Sequence, residues 1–247
     1  MAKQAAFGTN FYLGTRQVES MTVTGAADAG GGDLTVTVTA TGIAGVVVTV
    51  TVAGLDTPTT VATKVRAAMN ALATITDYAV VGGTGATFSL TMLLPAANNA
   101  AMAMVFDAGT SGCTMGASTD TTTGAAFVAV AAVKNIGGPS LKLDTADVTT
   151  HDSAGGWEES VATILREGEV KVDLEYDPQA DTQDATAVGG LAYCMKNKLL
   201  KHFKIVWPDT TAWTFPGYVT GFEPAAPHDK DLTASVSIKI AGAPVLA

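Results

Sequence analysis

A chain of 247 residues has room for one large or two ordinary domains, each burying its own core. The net charge of −9 and pI near 4.6 exclude a stable grip on nucleic acid or an anionic membrane through clustered Lys and Arg, though not a passing contact with DNA. Two cysteines, Cys113 and Cys194, supply neither a disulfide framework nor a zinc site and read as buried free thiols. The opening stretch MAKQAAFGTNFYLG lacks the apolar run of a signal peptide. One uncharged run, from Leu34 to Leu55, is long enough to cross a bilayer. Its Thr35, Thr37, Thr39 and Thr41, then Thr49 and Thr51, recur at every second position around Gly42 and Gly45. That pattern predicts a β-hairpin and no membrane anchor.

In chain order, a polar arm leads into a short strand, Phe7 to Leu13, with Phe7, Phe11 and Leu13 toward a core. From Met21 to Gly124 charge nearly vanishes, and Lys64 and Arg66 are the bases there, while Thr, Ala, Gly and Val dominate. The shift is bounded by Gly-Gly-Gly at 30–32 and by the Thr-rich stretch Ser118 to Gly124, which marks 21–124 as an inserted module. Inside it, strands Leu34–Thr41 and Val46–Ala53 precede Thr57-Pro58, a cap with Pro at the first helical position. The helix then runs to about Ile75, with Val61, Val65, Met69 and Leu72 as its apolar stripe. Strands at Tyr78–Val81, Phe88–Leu94 and Met102–Phe106 complete a small α+β domain. Gly82-Gly83-Thr84-Gly85 lacks the Lys of a phosphate loop and leads into a strand, so it reads as a turn.

After the insert, Phe127–Ile136 reads as one strand, Gly137-Gly138-Pro139 as a break, and Leu141–Val148 as a strand opening a loop of more than twenty residues. That loop carries Trp157, Val161, Ile164 and Leu165, apolar groups in need of a partner. It ends in a half-buried strand whose Val170, Val172, Leu174 and Tyr176 alternate with Lys171, Asp173, Glu175 and Asp177. A polar turn at 177–184 leads into a helix from Thr186 to about Leu200, with the stripe Val188, Leu191, Met195 and Leu199 and with Lys196, Lys198 and Lys201 outside. Phe203–Trp207 and Trp213–Phe215 flank a hairpin turn at Pro208-Asp209-Thr210. Tyr218–Phe222 and the alternating Leu232–Ile240 follow. Antiparallel strands with one late helix give a mainly β fold, a β-sandwich or partly closed barrel with the helix on its flank.

Catalytic residues are not expected. His151-Asp152-Ser153 names the members of a hydrolase triad, yet three consecutive residues cannot converge on one atom. His228-Asp229 lies in a Pro-flanked turn, and no metal, cofactor or nucleophile motif is present. Asp173, Glu175 and Asp177 share one strand face, with neighbours about 7 Å apart. They read as a solvent-facing sheet surface, with a hydrolase built on those carboxylates as an alternative.

The half from Phe127 onward resembles the tail tube (major tail) proteins of long-tailed, non-contractile bacteriophages. The resemblance is carried by Ser140-Leu141, Asp144-Thr145, Asp147-Val148-Thr149, His151-Asp152, Gly156-Trp157 and Gly168-Glu169-Val170. It continues through Phe203–Val206, Trp213–Phe215, Val219-Thr220, Phe222-Glu223-Pro224, Leu232–Val236 and Gly242-Ala243-Pro244. It implies a structural virion protein, made in the host bacterial cytoplasm and built into the tail as stacked hexameric rings around a bore through which DNA leaves. Neither enzymatic activity nor a cofactor is implied. Other tail proteins, such as the tape measure and tail terminator, and transient DNA in the lumen are the implied partners. In that family the long loop reaches the neighbouring ring, which nominates Asp144, His151, Asp152, Trp157, Glu158, Glu159, Val161, Ile164 and Leu165 as contacts between subunits. If the polar sheet face lines the bore, Lys171, Asp173, Glu175 and Asp177 face DNA and the carboxylates keep it from adhering, while Lys171 and Lys239 on that face keep the lining from being uniformly acidic. The departure is the insert, where family members have a short turn. Residues 1–20 and 125–247 then form the tube domain and 21–124 an outward decoration domain. A surface module using the insert to bind carbohydrate or a receptor is the alternative reading.

Overall fold

The computed structural model describes residues 8–150, 155, 157–187 and 189–246. The chain begins β1 (Asn10–Thr15), β2 (Val18–Gly25), β3 (Gly32–Ala40) and β4 (Ile43–Val52), then α1 (Pro58–Asn70) and α2 (Ala73–Thr76). Next come β5 (Ala79–Gly82), β6 (Thr87–Met92), β7 (Ala103–Asp107), β8 (Thr114–Met115), β9 (Thr119–Thr122), β10 (Ala125–Ala129) and β11 (Val133–Gly137). Then follow β12 (Lys142–Asp147), β13 (Ser160–Arg166), β14 (Glu169–Glu175), α3 (Leu191–Lys196), β15 (Lys201–Val206), β16 (Ala212–Ala225), β17 (Thr233–Ile240) and β18 (Val245–Leu246). Two compact units divide the chain, one of Met1–Leu13 with Val128–Ala247 and the other of Gly14–Phe127.

The first unit is a β-sandwich. Its strands follow the path β10-β1-β15-β16-β17-β14-β11, with β18 added beside β16. The two ends of that path are joined by residues 130–132 alone, so the sheet must roll until they meet. Val130 N donates to Phe11 O on one side (2.8 Å), and Ala132 O accepts from Glu175 N on the other (2.9 Å). Strand β16 makes the second corner: Ala212–Gly217 pair with β15 and Gly217–Ala225 with β17, across a register shift between Val219 and Gly221. Between the layers lies a core of Val170, Val172 and Leu174 from β14, Val236, Ile238 and Ile240 from β17, and three aromatics. Phe203 stacks on Phe11 and on Phe215, with ring centroids 5.6 and 5.9 Å apart.

Three expectations fail in this unit. Residues 127–136 form two strands, because Ala132 takes a left-handed backbone (φ 53°) and folds the chain back. The helix expected over 186–200 shrinks to α3, which starts after Gly190. Gly189 sits at φ 113°, where a helix cannot pass, and Val188 lies outside the described residues. Lys201 is also not on a solvated face; it is buried at the start of β15. Just before α3, fully buried Gln183 holds the polar turn together. Its Nε2 donates to Ala131 O (2.9 Å) and Glu175 O (3.1 Å), and its Oε1 accepts from Asp177 N (2.9 Å).

The second unit pairs a helix with two sheets, β5-β6-β2-β8 with β9 beside β2, and β4-β3-β7. Thr57 caps α1, its hydroxyl accepting from Thr60 N (3.3 Å), with Pro58 at the first position. Val61, Val65 and Met69 are fully buried against Leu34, Val36, Phe88 and Leu90. The helix ends at Asn70, short of Ile75, and Ile75 is buried instead from the separate turn α2. Between β5 and β6, Gly83 (φ 110°) and Gly85 (φ 56°) make the tight turn, and Arg66 Nη1 donates to Gly85 O and Thr87 O. The unit takes in residues 14–20, which the sequence assigns to the tube domain, because β2 is the middle of its larger sheet. An inward carboxylate disguises that strand: Glu19 is buried and accepts from Ser118 Oγ at 2.5 Å.

Candidate assembly surface

The long loop of the sequence reading is largely a two-stranded ribbon. Strand β13 folds back on β12, pairing Leu143 with Leu165, Thr145 with Ala162, Ala146 with Val161 and Asp147 with Ser160, with a bulge at Asp144. Among the described residues, neither strand joins another sheet. Every residue of β13 is exposed, and every residue of β12 except Asp144. Trp157 is 78% exposed, Leu165 76%, Ile164 60%, Val161 51% and Leu143 49%. A lone two-stranded ribbon is marginal in water, and covering each such apolar side chain fully would contribute about 1.5–3 kcal/mol. The ribbon therefore carries its stabilising surface outward.

Two devices hold the ribbon's base. At its foot, Glu169 N donates to Ser140 Oγ (3.2 Å), and a side chain on Gly168 would strike Ser140 O at 1.8 Å. Gly168 is thus required for the close crossing of the two ribbon legs. Within the ribbon, Arg166 Nε donates to Asp144 Oδ2, and Lys142 Nζ stands 3.8 Å from Asp144 Oδ1. The Arg166 hydrogen bond, then the charges of Arg166 and Lys142, hold the Asp144 carboxyl below the usual carboxylate range. Asp144 is thus engaged within the ribbon. Further out, Asp147 accepts from Thr149 Oγ1 and N (2.5 and 2.8 Å), and Thr149 Oγ1 accepts from Glu159 N (2.9 Å). Glu158 and Glu159 are exposed. His151 and Asp152 lie outside the described residues.

The second predicted surface is the outer face of β14. Lys171, Asp173 and Glu175 are exposed there as the alternation requires, but Asp177 lies beyond the strand, in the turn held by Gln183. Asp173 accepts from Ser235 Oγ (2.9 Å) on β17 and Asn135 Nδ2 (3.2 Å) on β11, and Lys134 stands 3.5 Å from Glu175. Registers put Lys239 and Glu223 on the same face. With Lys134, Lys171 and Lys239 against Glu169, Asp173, Glu175 and Glu223, the face is charged but nearly balanced. Lys239 is placed there as the sequence reading expects, while Lys134 and Glu223 are invisible as partners until the pairing is known.

Among the described residues, no group of three or more His, Cys, Asp or Glu could hold a metal ion, and no helix is long and apolar enough to cross a membrane. Both cysteines are buried, and burial pushes the Cys194 thiol up.

No curated protein matches the chain. Among solved structures, similar chains occur in the tail of an empty gene transfer agent particle refined with C6 symmetry (22% identity, TM-score 0.42, covering 49% of this chain and 86% of that one). Another is in the virion of a native gene transfer agent particle (20% identity, TM-score 0.42, covering 49% and 88%). A third is in the baseplate of the anti-feeding prophage (7% identity, TM-score 0.36, covering 49% and 83%). The family model described as Lambda phage tail tube protein, TTP, matches residues 113–247, more than half of the sequence. That span contains the ribbon and all of the sandwich after β1, and the chain therefore belongs to the lambda phage tail tube protein family, as a structural component of a virion tail.

Proposed function

We propose that this subunit polymerises as stacked hexameric rings into a hollow tail tube, with the β12–β13 ribbon seated on a subunit of the adjacent ring. The ribbon's exposure carries the reading: Trp157, Val161, Ile164 and Leu165 crowd a segment that nothing among the described residues covers. Polymerisation supplies the cover, and the Ser140–Gly168 crossing holds the ribbon ready. Of the nominated contacts, Trp157, Val161, Ile164 and Leu165 provide burial, Glu158 and Glu159 provide charge, and Asp144 braces Arg166.

The polar face of β14 and β17 lines the bore in this reading, and its near balance of charge lets DNA pass without adhering during ejection. At physiological salt the screening length is about 8 Å, so such side chains act only at close range. The Gly14–Phe127 unit stands on the tube exterior, because a module of that size would obstruct the bore. Tape measure and tail terminator proteins complete the partners, and assembly follows synthesis in the host cytoplasm.

Electron microscopy of purified protein tests the ribbon. Wild-type protein should form rings or tubes, and Trp157→Ser with Leu165→Ser should remain unassembled with an intact sandwich. Normal tubes from the double variant would overturn the reading.

A further inference from the structure

The ribbon tip joins two features, an apolar surface at Trp157 and Val161 and a pair of exposed carboxylates at Glu158 and Glu159. Among the described residues neither carboxylate has a cationic partner. Its counterpart on a second copy must offer exposed apolar surface beside unpaired positive charge. Most lysines fail that test. Lys134 pairs with Glu175, Lys64 with Asp56, and Lys142 and Arg166 share Asp144 within the ribbon itself. Lys239 donates to Glu167 O, Lys230 sits between Asp229 and Asp231, and Lys201 is buried.

The corner where α3 runs into β15 meets both conditions. Lys196 closes the last turn of α3, Lys198 follows in a left-handed conformation (φ 54°), and both are exposed with no carboxylate at ion-pair distance among the described residues. Leu200, two residues on, is 40% exposed. The corner is held firmly, since Leu199 N donates to Cys194 O (3.0 Å) and Leu191 and Cys194 are anchored in the core. A seven-residue strand such as β13 spans about 23 Å, enough to carry the tip clear of its own sandwich.

We infer that the ribbon tip of one subunit docks on the α3–β15 corner of another copy of this chain, with Trp157 and Val161 over Leu200 and Glu158 and Glu159 facing Lys196 and Lys198. The inference rests on the ribbon reading above and adds the receiving surface. Charge sets the register of this contact and the apolar groups supply its burial.

The test is a charge exchange on the full chain, read by sedimentation and negative-stain microscopy. Glu158→Lys with Glu159→Lys, and separately Lys196→Glu with Lys198→Glu, should each raise the concentration needed for polymers by about tenfold or more. The quadruple variant should regain most of the loss, and so should a mixture of the two double variants, because the tip of each then meets a corner of opposite charge on the other. Circular dichroism and Trp fluorescence confirm that each variant is folded. Wild-type polymerisation by either double variant, or losses that the quadruple variant does not relieve, would overturn the pairing. Those results leave the ribbon reading intact, because it falls only if Trp157→Ser with Leu165→Ser also assembles normally.

Discussion

At the scale of single residues, buried side-chain hydrogen bonds explain more than surface charge does. Gln183 satisfies three backbone groups from two segments, so Gln183→Ala leaves buried polar atoms unpaired at about 1–3 kcal/mol each. All three tryptophans, Trp157, Trp207 and Trp213, belong to the sandwich unit, so Trp fluorescence in denaturant follows that unit, and its midpoint should fall clearly in this variant. Phe203→Ala, which removes the middle ring of the aromatic stack, should cost about 3–5 kcal/mol by the same measurement. Asp144 gives a pH signature. Its carboxyl is held below its unfolded value by Arg166, so its contribution is fully present above the unfolded pKa, near 4, and is lost as pH falls through the lower folded value. The protection of β12 and β13 amides, relative to their intrinsic exchange rate, should fall as pH drops through that window, and Asp144→Asn should flatten the response. None of these partnerships was legible in the sequence, because Gln183 lies 52 positions from Ala131 and Arg166 lies 22 from Asp144.

At the scale of elements, alternation was readable where one face of a strand is dry. Residues 170–174 and 234–240 display it, and the hairpin of β3 and β4 shows it through its threonines. It failed where both faces are wet, as in β13, whose Val161, Thr163 and Leu165 alternate with nothing that marks an inside. It failed again in β2, where a buried Glu19 breaks the apolar series. The overlong helix has a similar origin. Spacing recorded the stripe Leu191, Met195 and Leu199, but Gly189-Gly190 and left-handed Lys198 confine the helix to six residues. The crossing at the ribbon's foot should be intolerant of bulk: Gly168→Ala must push Ser140 aside, and polymer formation should fall while the sandwich midpoint moves little.

At the scale of the molecule, each unit has its own core, and β1 and β10 are neighbours in the sandwich although more than a hundred positions separate them. Loop-closure cost grows slowly with length, so a folded module can stand where a turn would serve. For the assembled tube, Asp173→Lys with Glu175→Lys tips a nearly balanced face toward positive charge. Tubes should still form, and DNA delivery should fall in a salt-sensitive way, as measured by transduction and by DNA retained on purified tubes. Unimpaired delivery would remove this face from the bore.

By itself the sequence determined the mainly β character, the positions of the strands with one dry face, the helix cap at Thr57 and the motifs shared with the tail tube family. These are local or periodic properties, written in consecutive residues. Only the tertiary structure decided that 160–166 pair with 142–147, that β16 turns between two layers, that Glu19 points inward, and that Lys134 and Glu223 share a face with Asp173. Those facts depend on which distant segments become neighbours, and the period of a strand states which side chains share a face without stating what that face meets.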